Sequence, residues 1–390
     1  MEFIPRTMGT RPRLACEVRA EGVVAARAED AFAVLSAVAR VSLADEIVVP
    51  RLTAIDAEEQ ATSTGVGGDA AGRAAVVAAV RKALESVVLR DREVTLVVPD
   101  ASVRVLLLEF DELPAKAIEA LPVVRFRLKK LLPFDADDAA ISYQVMSSSK
   151  GLLRVLAVAM PRELLDDYEA VVREAGFVPG AILPSTIAAL AGLTESDASL
   201  LIVNAGREGV TTAIVKGGVM LLHRTVDLGA DRRADQKATP RADIKLPLVD
   251  RERTAEEWAR QEPLSLTEQN GLIESKRIVQ EIEQEVAQEI ADEGNTTESA
   301  TENFSEVAQA ISVAAAYFED TLESTPSTIH AAGTLGGRAI IALLTAAGVG
   351  PISVREIVSS EKLGPGAATA GTPGGVPLGW LAGVRGALAN

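Results

Sequence analysis

Two strand-turn-strand segments carry the residues whose types and spacing could do chemistry in this chain. One lies near the N-terminus and the other just past the middle, and their turns share the letters Glu-Gly-Val. Alignment on those letters places Asn204 opposite Glu17 and Gly206 opposite Arg19 without a gap. A glycine at such a turn lets backbone N–H groups approach an anion, and a nearby acid can hold Mg²⁺ through water. The two turns therefore indicate a cleft that faces a phosphate from both sides.

The acid and glycine positions of this cleft are altered. The first turn offers Glu17 as the acid and places the Arg19 side chain where glycine would permit close approach. The second turn keeps Gly206 but has Asn204, which contributes no charge to a phosphate-bound cation. ATP with Mg²⁺ is the cofactor that such a cleft could take, and we expect hydrolysis to be weak because phosphoryl transfer depends on charge and positioning.

The predicted cofactor-binding residues come from both turns and from a third, glycine-containing loop that could wall an adenosine. They are Glu17, which is also the candidate metal ligand, Arg19, Asn204, Gly206, Thr211, Thr212, Gly333, Gly336 and Gly337. An ordinary strand-to-helix turn is an equally good interpretation of the third loop.

No arrangement of side chains identifies a catalytic residue. His223 and His330 lie far apart, and neither has a Cys or His at metal-ligand spacing, so structural roles are favoured for both. The sequence contains neither a Gly-x-Ser-x-Gly elbow nor a Gly-x-x-x-x-Gly-Lys-Ser/Thr loop, which hydrolases and P-loop enzymes of those classes need. A degenerate ATPase stays open, but a binding or scaffold protein is favoured.

A basic helix is predicted from residue 114 to residue 132, before a Pro-Phe-Asp break. Four apolar residues are spaced to face a core, while basic side chains project elsewhere; they are Val124, Leu128, Leu131 and Leu132. In an acidic chain this patch could receive a peptide or lie near an anionic membrane surface, although a solvated face is an equally common cause. The predicted partner-binding residues are Arg125, Lys129, Lys130 and Phe134.

The composition limits the fold and function classes. The chain has 390 residues, of which 48% are hydrophobic, so it can form two or more packed domains and does not resemble a disordered chain. A net charge of −16 argues against nucleic-acid binding, which requires a basic surface. The single cysteine and the lack of a long uninterrupted apolar run predict a cytoplasmic protein with no membrane span of its own.

The two related segments predict a duplicated α/β fold with a cleft between its halves. Strand patterns at 93–99, 103–110, 140–146 and 152–160 predict a small α+β module inserted into the first half. The predicted divisions are 1–92 and 180–198 for the first lobe, 93–179 for the inserted module, 199–229 and 304–362 for the second lobe, 230–303 for a charged subdomain with an amphipathic helix at 267–293, and 363–390 for a Gly/Pro-rich C-terminal segment.

The inserted module carries the most specific resemblance to a known family. Its runs VVPDASVRVLLLEFDELP and VVRFRLKKLLPFDADDAAISYQV, followed by RVLAVAMPRELLDDYEAVVREAGFVPGAILPS, resemble the PilM family of type IV pilus assembly, a relative of FtsA and actin. The resemblance implies a bilobed actin-like ATPase fold of duplicated ribonuclease-H-like lobes, with the module inserted in the first lobe. It also implies a cytoplasmic adaptor, peripheral to the inner membrane and able to self-associate. Such an adaptor binds the N-terminal peptide of a PilN-like membrane protein in a groove between the first lobe and the module.

The sequence departs from this family where nucleotide would bind. The Asp-x-Gly pattern of the family is replaced by Glu17-Val18-Arg19 and by Asn204-Ala205-Gly206, and Thr334 interrupts the run of glycines in the third loop. Two other functions stay open: an active ATPase or kinase-like enzyme on the same fold, and a cytoplasmic component of a type II secretion system similar to GspL.

Overall fold

The computed structural model describes most of the chain outside one long internal segment. The described ranges are 12–29, 33–44, 47, 49–50, 52, 65–149, 151–193, 198–228, 297–347, 352–364, 367 and 375–389. The predicted amphipathic helix at 267–293 lies outside them. None of the helices in these ranges is long and apolar enough to cross a membrane.

The described elements alternate between strands and helices along the chain. The strands are β1 (Leu14–Arg19), β2 (Gly22–Ala28), β3 (Leu35–Ser42), β4 (Glu93–Val98), β5 (Arg104–Phe110), β6 (Ala139–Ser149), β7 (Leu152–Pro161), β8 (Val178–Pro184), β9 (Leu200–Ala205), β10 (Gly209–Lys216), β11 (Val219–Asp227), β12 (Thr328–Ala332) and β13 (Ser353–Glu356). The helices are α1 (Ala70–Glu85), α2 (Ala117–Leu128), α3 (Arg162–Glu174), α4 (Ser185–Ala191), α5 (Thr297–Leu322), α6 (Gly336–Ala346) and α7 (Ala382–Leu388).

The same five-stranded sheet occurs twice. The first has the order β3-β2-β1-β4-β8 and the second has the order β11-β10-β9-β12-β13. In each, an antiparallel hairpin is followed by parallel strands, so β1 corresponds to β9 and the two turns aligned in the sequence occupy equivalent places. The predicted duplication of the lobes is therefore visible in the strand order.

Small aliphatic side chains form the cores of both lobes. One cluster lies under the β1–β2 hairpin, against α1 and α3, and another packs α5 and α6 against the second sheet. A third joins the lobes and contains Ala15, Ile187, Ala213 and Val384, all less than 4% exposed. Burial of this apolar surface is the main force that holds the lobes together.

A separate three-stranded sheet, with the order β5-β7-β6, is formed by residues between β4 and β8. Its strands follow the predicted ones closely, and α2 packs on one face through Val124 and Leu128. The expectation that Leu131 faces the same core is wrong, because α2 ends at Leu128 and Leu131 lies beyond it with half of its surface exposed. The domain boundaries given above stay predictions.

The C-terminal segment contains a buried helix that its Gly/Pro-rich composition concealed. A 3₁₀ turn at Leu378–Leu381 leads into α7, and every residue of α7 is buried. The helix lies against α4 and the first sheet because two of its positions are glycines. A Cβ atom on Gly386 would collide with the carbonyl oxygen of Ala188, and one on Gly383 would collide with the Glu17 carboxylate.

Substitution of Gly386 by Ala tests this close contact between α7 and α4. Helix propensity alone would stabilise the variant by about 1 kcal/mol. We expect the opposite, a loss of about 1–3 kcal/mol of unfolding free energy, because the added methyl group overpacks the contact. Urea unfolding measures the change, and Gly217→Ala is the control: it sits in open space with φ of 53° and should lose only about 1 kcal/mol. Unchanged or raised stability of Gly386→Ala would contradict the packing described.

Candidate functional site

The polar residues of the cleft lie at the carboxyl ends of parallel strands. Glu17 is near the end of β1, and Asp100 follows β4, which runs parallel to β1. Ser185 follows β8, the next parallel strand of the same sheet. In the second sheet, Asn204 is near the end of β9, and Gly333 follows the parallel strand β12. Because the ends of parallel strands meet at one edge of a sheet, both lobes deliver these groups to the same place.

Glu17 and Arg19 form an ion pair at the centre of this cleft. The Arg19 Nη2 atom is 2.6 Å from Glu17 Oε1, and the two residues are only 9% and 0% exposed. The same nitrogen lies 2.8 Å from Ser185 Oγ and 3.2 Å from Asn204 Oδ1, on the other lobe. The Ser185 hydroxyl donates to Glu17 Oε1 at 2.7 Å. The guanidinium therefore stands between the acid of one lobe and the amide of the other.

The neutral amide of Asn204 is matched to its neighbours. Its Nδ2 group lies 2.9 Å from Ser185 Oγ and 2.9 Å from Thr186 Oγ1, while its Oδ1 atom accepts from Arg19. The Thr186 hydroxyl and backbone N–H in turn donate to the Asp100 carboxylate, at 2.5 and 3.0 Å. An Asp at position 204 would lack the amide N–H groups that donate to the hydroxyls of Ser185 and Thr186.

A second set of contacts joins the tips of the two turns. Glu21 Oε1 accepts from the backbone N–H of Arg207 and from the hydroxyl of Thr334, both at 2.6 Å. Arg207 also donates to the carbonyl oxygen of Ala20 at 3.2 Å. Gly206 lies close to this contact, because a Cβ atom there would lie 2.8 Å from Glu21 Oε1 and 2.9 Å from Thr334 Oγ1. A turn N–H that could bind a phosphate therefore binds a carboxylate of the protein.

Burial shapes the electrostatics of these groups. Burial raises the pKa of Glu17, and the opposing effects of Arg19 and Ser185 only partly offset it. Burial acts on the pKa of Glu21 in the same sense, but its hydrogen bonds with Arg207 and Thr334 outweigh burial and lower the pKa. His223 lies 3.8 Å from Asp100, and burial lowers the pKa of His223 despite that charge.

The third loop is held by contacts within the protein. Gly333 has φ of 92°, and a Cβ atom there would lie 2.7 Å from Asn204 Oδ1; its N–H donates to the Gly379 carbonyl oxygen at 2.9 Å. The Gly337 N–H donates to Glu356 Oε1 at 2.6 Å, and Gly336 has φ of 75° beside it. The glycines of the predicted adenosine loop thus serve a tight turn and a close contact between strands.

The two predicted threonines have different positions on β10. Thr211 lines the cleft, with its hydroxyl 3.0 Å from that of Thr225 on β11. Thr212 is buried on the opposite face of the strand, as the alternation of side chains requires.

The cleft does not fit a Mg²⁺-bound nucleotide. Its cavity has a volume of about 70 Å³, whereas pockets for small molecules have about 300 Å³ or more. Glu17, the predicted metal ligand, is already paired with Arg19. In the described ranges, no group of three or more His, Cys, Asp or Glu side chains is arranged to hold a metal ion. Carboxylates of Glu21, Asp100 and Glu208 line the cavity and would repel phosphates.

Asp100, Ser185 and Thr186 are site residues that the sequence interpretation missed. The available signal was local: each lies directly after a strand that is parallel to β1 or to its neighbour. Glu21 was used only to align the two turns, although its carboxylate accepts two hydrogen bonds from the second lobe.

The predicted partner-binding residues divide into two groups. Arg125 donates to carbonyl groups of the loop after α2, including that of Ala136, and Lys129 pairs with Asp137 at 2.5 Å. Phe134 is half-buried in the same region. Lys130 instead lines a groove of about 690 Å³. The groove lies between β5 and the end of α2 on one side and β11 and α5 on the other, so it separates the small sheet from the second lobe.

Comparisons with known proteins identify the fold. No family model matches the sequence, and no curated protein matches it. A chain of the PilM-PilN type IV pilus biogenesis complex is 15% identical, with a TM-score of 0.62 over 97% of this chain and 98% of that one. The cytoplasmic domain of EpsL from the type II secretion system of Vibrio cholerae is 14% identical over 66% of this chain and 91% of that one, with a TM-score of 0.33. The ethanolamine utilization protein EutJ from Carboxydothermus hydrogenoformans is 10% identical over 97% and 89%, with a TM-score of 0.39. The expected resemblance to PilM and the bilobed actin-like fold class are confirmed.

The lowered pKa of His223 predicts acid sensitivity of the cleft. The unfolded chain binds a proton at His223 near pH 6.5, but the folded chain binds it only at lower pH, so stability is lost as the pH falls below 6.5. In His223→Asn, the free energy of unfolding should fall less steeply as the pH decreases, by up to about 1.4 kcal/mol per pH unit. Urea unfolding of the wild type and of His223→Asn between pH 7 and pH 5 measures this difference. Glu17 and His330 are present in both proteins, so their own pH effects cancel in the comparison. Equal pH dependence of wild type and His223→Asn would contradict the burial of a neutral imidazole.

Proposed function

We propose that this protein is an adaptor of a type IV pilus assembly machine, located in the cytoplasm at the inner membrane, which holds a short peptide of a PilN-like membrane protein. The observation that carries the proposal is the fold, shared over almost its whole length with a chain of the PilM-PilN complex. The closed cleft supports a binding function over an enzymatic one. The nucleotide of an ATPase or kinase would have to occupy the position where Arg19 is paired with Glu17.

The groove beside the small sheet is the site that we propose for the peptide. β5 lies at the edge of that sheet and pairs with β7 alone among the described strands. Pairing with one neighbour uses about half of the N–H and C=O groups of a strand, and the others point outward. β5 lines the groove through Leu107, Leu108 and Glu109. An extended peptide can add to such an edge as a further strand.

The walls of the groove would contact alternate side chains of that peptide. Arg127, Lys130 and Leu131 lie on the α2 side, whereas Leu221 and Tyr317 lie on the opposite side. Neither Arg127 nor Lys130 forms an ion pair with another described residue. The groove therefore offers backbone pairing at its base and apolar contact on both walls. It lies against the second lobe, whereas the family resemblance implied a groove against the first.

Peptide binding to single-site variants tests both the partner and the place. A labelled peptide from the N-terminus of a PilN-like protein of the same organism should bind the full-length protein in a fluorescence anisotropy titration. Lys130→Glu and Leu131→Asp should each weaken binding about tenfold, equivalent to about 1.4 kcal/mol. Lys82→Glu and Leu89→Asp, at exposed positions on and after α1, are matched controls and should not weaken it. Failure of the wild type to bind at high micromolar concentration would contradict the adaptor function, whereas equal affinity of all variants would contradict the groove.

N-methylation of the peptide backbone tests strand addition directly. A peptide added to β5 donates every second N–H to that strand, so methylation should abolish binding at alternate positions and be tolerated at those between. Competition against the labelled peptide measures each analogue. A uniform effect along the peptide, or an effect at a single position, would exclude pairing with the β5 edge.

A further inference from the structure

Groups of the protein itself make hydrogen bonds that cross the cleft between the lobes. Arg19 of the first lobe bonds to Asn204 of the second, and Asn204 bonds back to Ser185 and Thr186. Glu21 bonds across to the second lobe at two points, as described above. A ligand shared by both lobes would make contacts of this kind in an open cleft, but here side chains supply them.

Arg19 is the central charge of this arrangement. Glu21, Asp100 and Glu208 line the cavity, Glu17 is buried beside it, and Arg19 is the one cationic side chain among the residues that line it in the described ranges. Buried carboxylates are costly unless a cation or hydrogen-bond donors compensate them. Loss of the guanidinium would leave Glu17 with the Ser185 hydroxyl as its one described hydrogen-bond donor.

The surroundings leave Arg19 no room to be exchanged for a larger ligand. A Cβ atom on Gly206 would lie 2.8 Å from Glu21 Oε1, and one on Gly333 would lie 2.2 Å from the carbonyl oxygen of Ala205. On the remaining side, α7 closes over Glu17 at Gly383, where even a methyl group would collide with the carboxylate. The position of the guanidinium is therefore enclosed by both lobes and by the C-terminal helix.

We propose that Arg19 is the resident cation of the cleft and fixes the two lobes in one arrangement without nucleotide. In this respect the chain departs from the ATP-binding cleft that its resemblance implied. The proposal does not depend on the identity of the peptide partner. An ion pair that merely fills the core would contribute to global stability but would not hold the turns of the two lobes together in particular.

Hydrogen exchange in Arg19→Gly distinguishes these two roles. The variant restores the glycine of the related pattern and empties the guanidinium position. Amide exchange should accelerate at least about tenfold at the turns of residues 19–22, 205–209 and 333–335, where the lobes meet, while β5, β6 and β7 exchange as in the wild type. Uniform acceleration over the whole protein, or none at the turns, would overturn the proposal.

Chemical rescue and a conservative variant complete the test. Methylguanidinium at low millimolar concentration should restore protection of the turns in Arg19→Gly, and methylammonium should restore less because it lacks the planar fork of donors. If Arg19→Gly does not fold, Arg19→Lys provides the measurement. It keeps the charge near Glu17 but cannot also reach Ser185 and Asn204 as the fork does, so the turns should exchange faster than in the wild type. Rescue that is equal for both cations, or an Arg19→Lys variant with wild-type protection, would contradict the role of the guanidinium.

Calorimetry of the wild type with Mg²⁺-ATP provides the complementary measurement. We expect no binding heat up to millimolar nucleotide, because the site is occupied by Arg19. Saturable binding would overturn the proposal, whatever the result of the peptide experiments.

Discussion

The buried ion pair of Glu17 and Arg19 is the interaction on which the arrangement of the cleft depends. Removing two charges from water costs several kcal/mol for each ion, and only close pairing with additional hydrogen bonds offsets that cost. Ser185 and Asn204 provide those bonds, and Thr186 and Asp100 extend the network behind them. Each group is placed by the end of a strand or the start of a helix, so the network couples the backbone of one lobe to that of the other.

Duplication explains how such a network could form. The two sheets place their hairpin turns at equivalent positions, so a change in one turn faces the other across the cleft. At one pair of equivalent positions a long cationic side chain, Arg19, lies opposite the small Gly206, and at the other an acid, Glu17, lies opposite the neutral Asn204. Among the described residues that line the cavity, Arg19 thus supplies the positive charge, held between an acid and an amide. Side chains from both lobes thus fill the centre of the cleft.

The sequence predicted the repeated hairpins and the strands of the small sheet because both depend on local patterns. Strands β5, β6 and β7 end within three residues of their predicted limits, since alternation and turn residues determine them. Helix α7 was missed because its glycines, which permit contact with α4 and Glu17, resemble those of a loop. The closure of the cleft was not predictable either: Arg19 looked like an obstacle to phosphate, and its pairing with Asn204 depends on two residues that are 185 positions apart.

In the adaptor function proposed above, the two lobes joined across the closed cleft would present the groove of the small sheet to a partner. A crystal structure of the full chain, grown in a large excess of Mg²⁺-nucleotide, tests the central claim most directly. We predict that the Arg19 guanidinium lies between Glu17 and Asn204 in such crystals, with no nucleotide between the turns. Nucleotide phosphates bound at the turns of residues 19–22 and 205–209, with Arg19 displaced from Glu17, would contradict it.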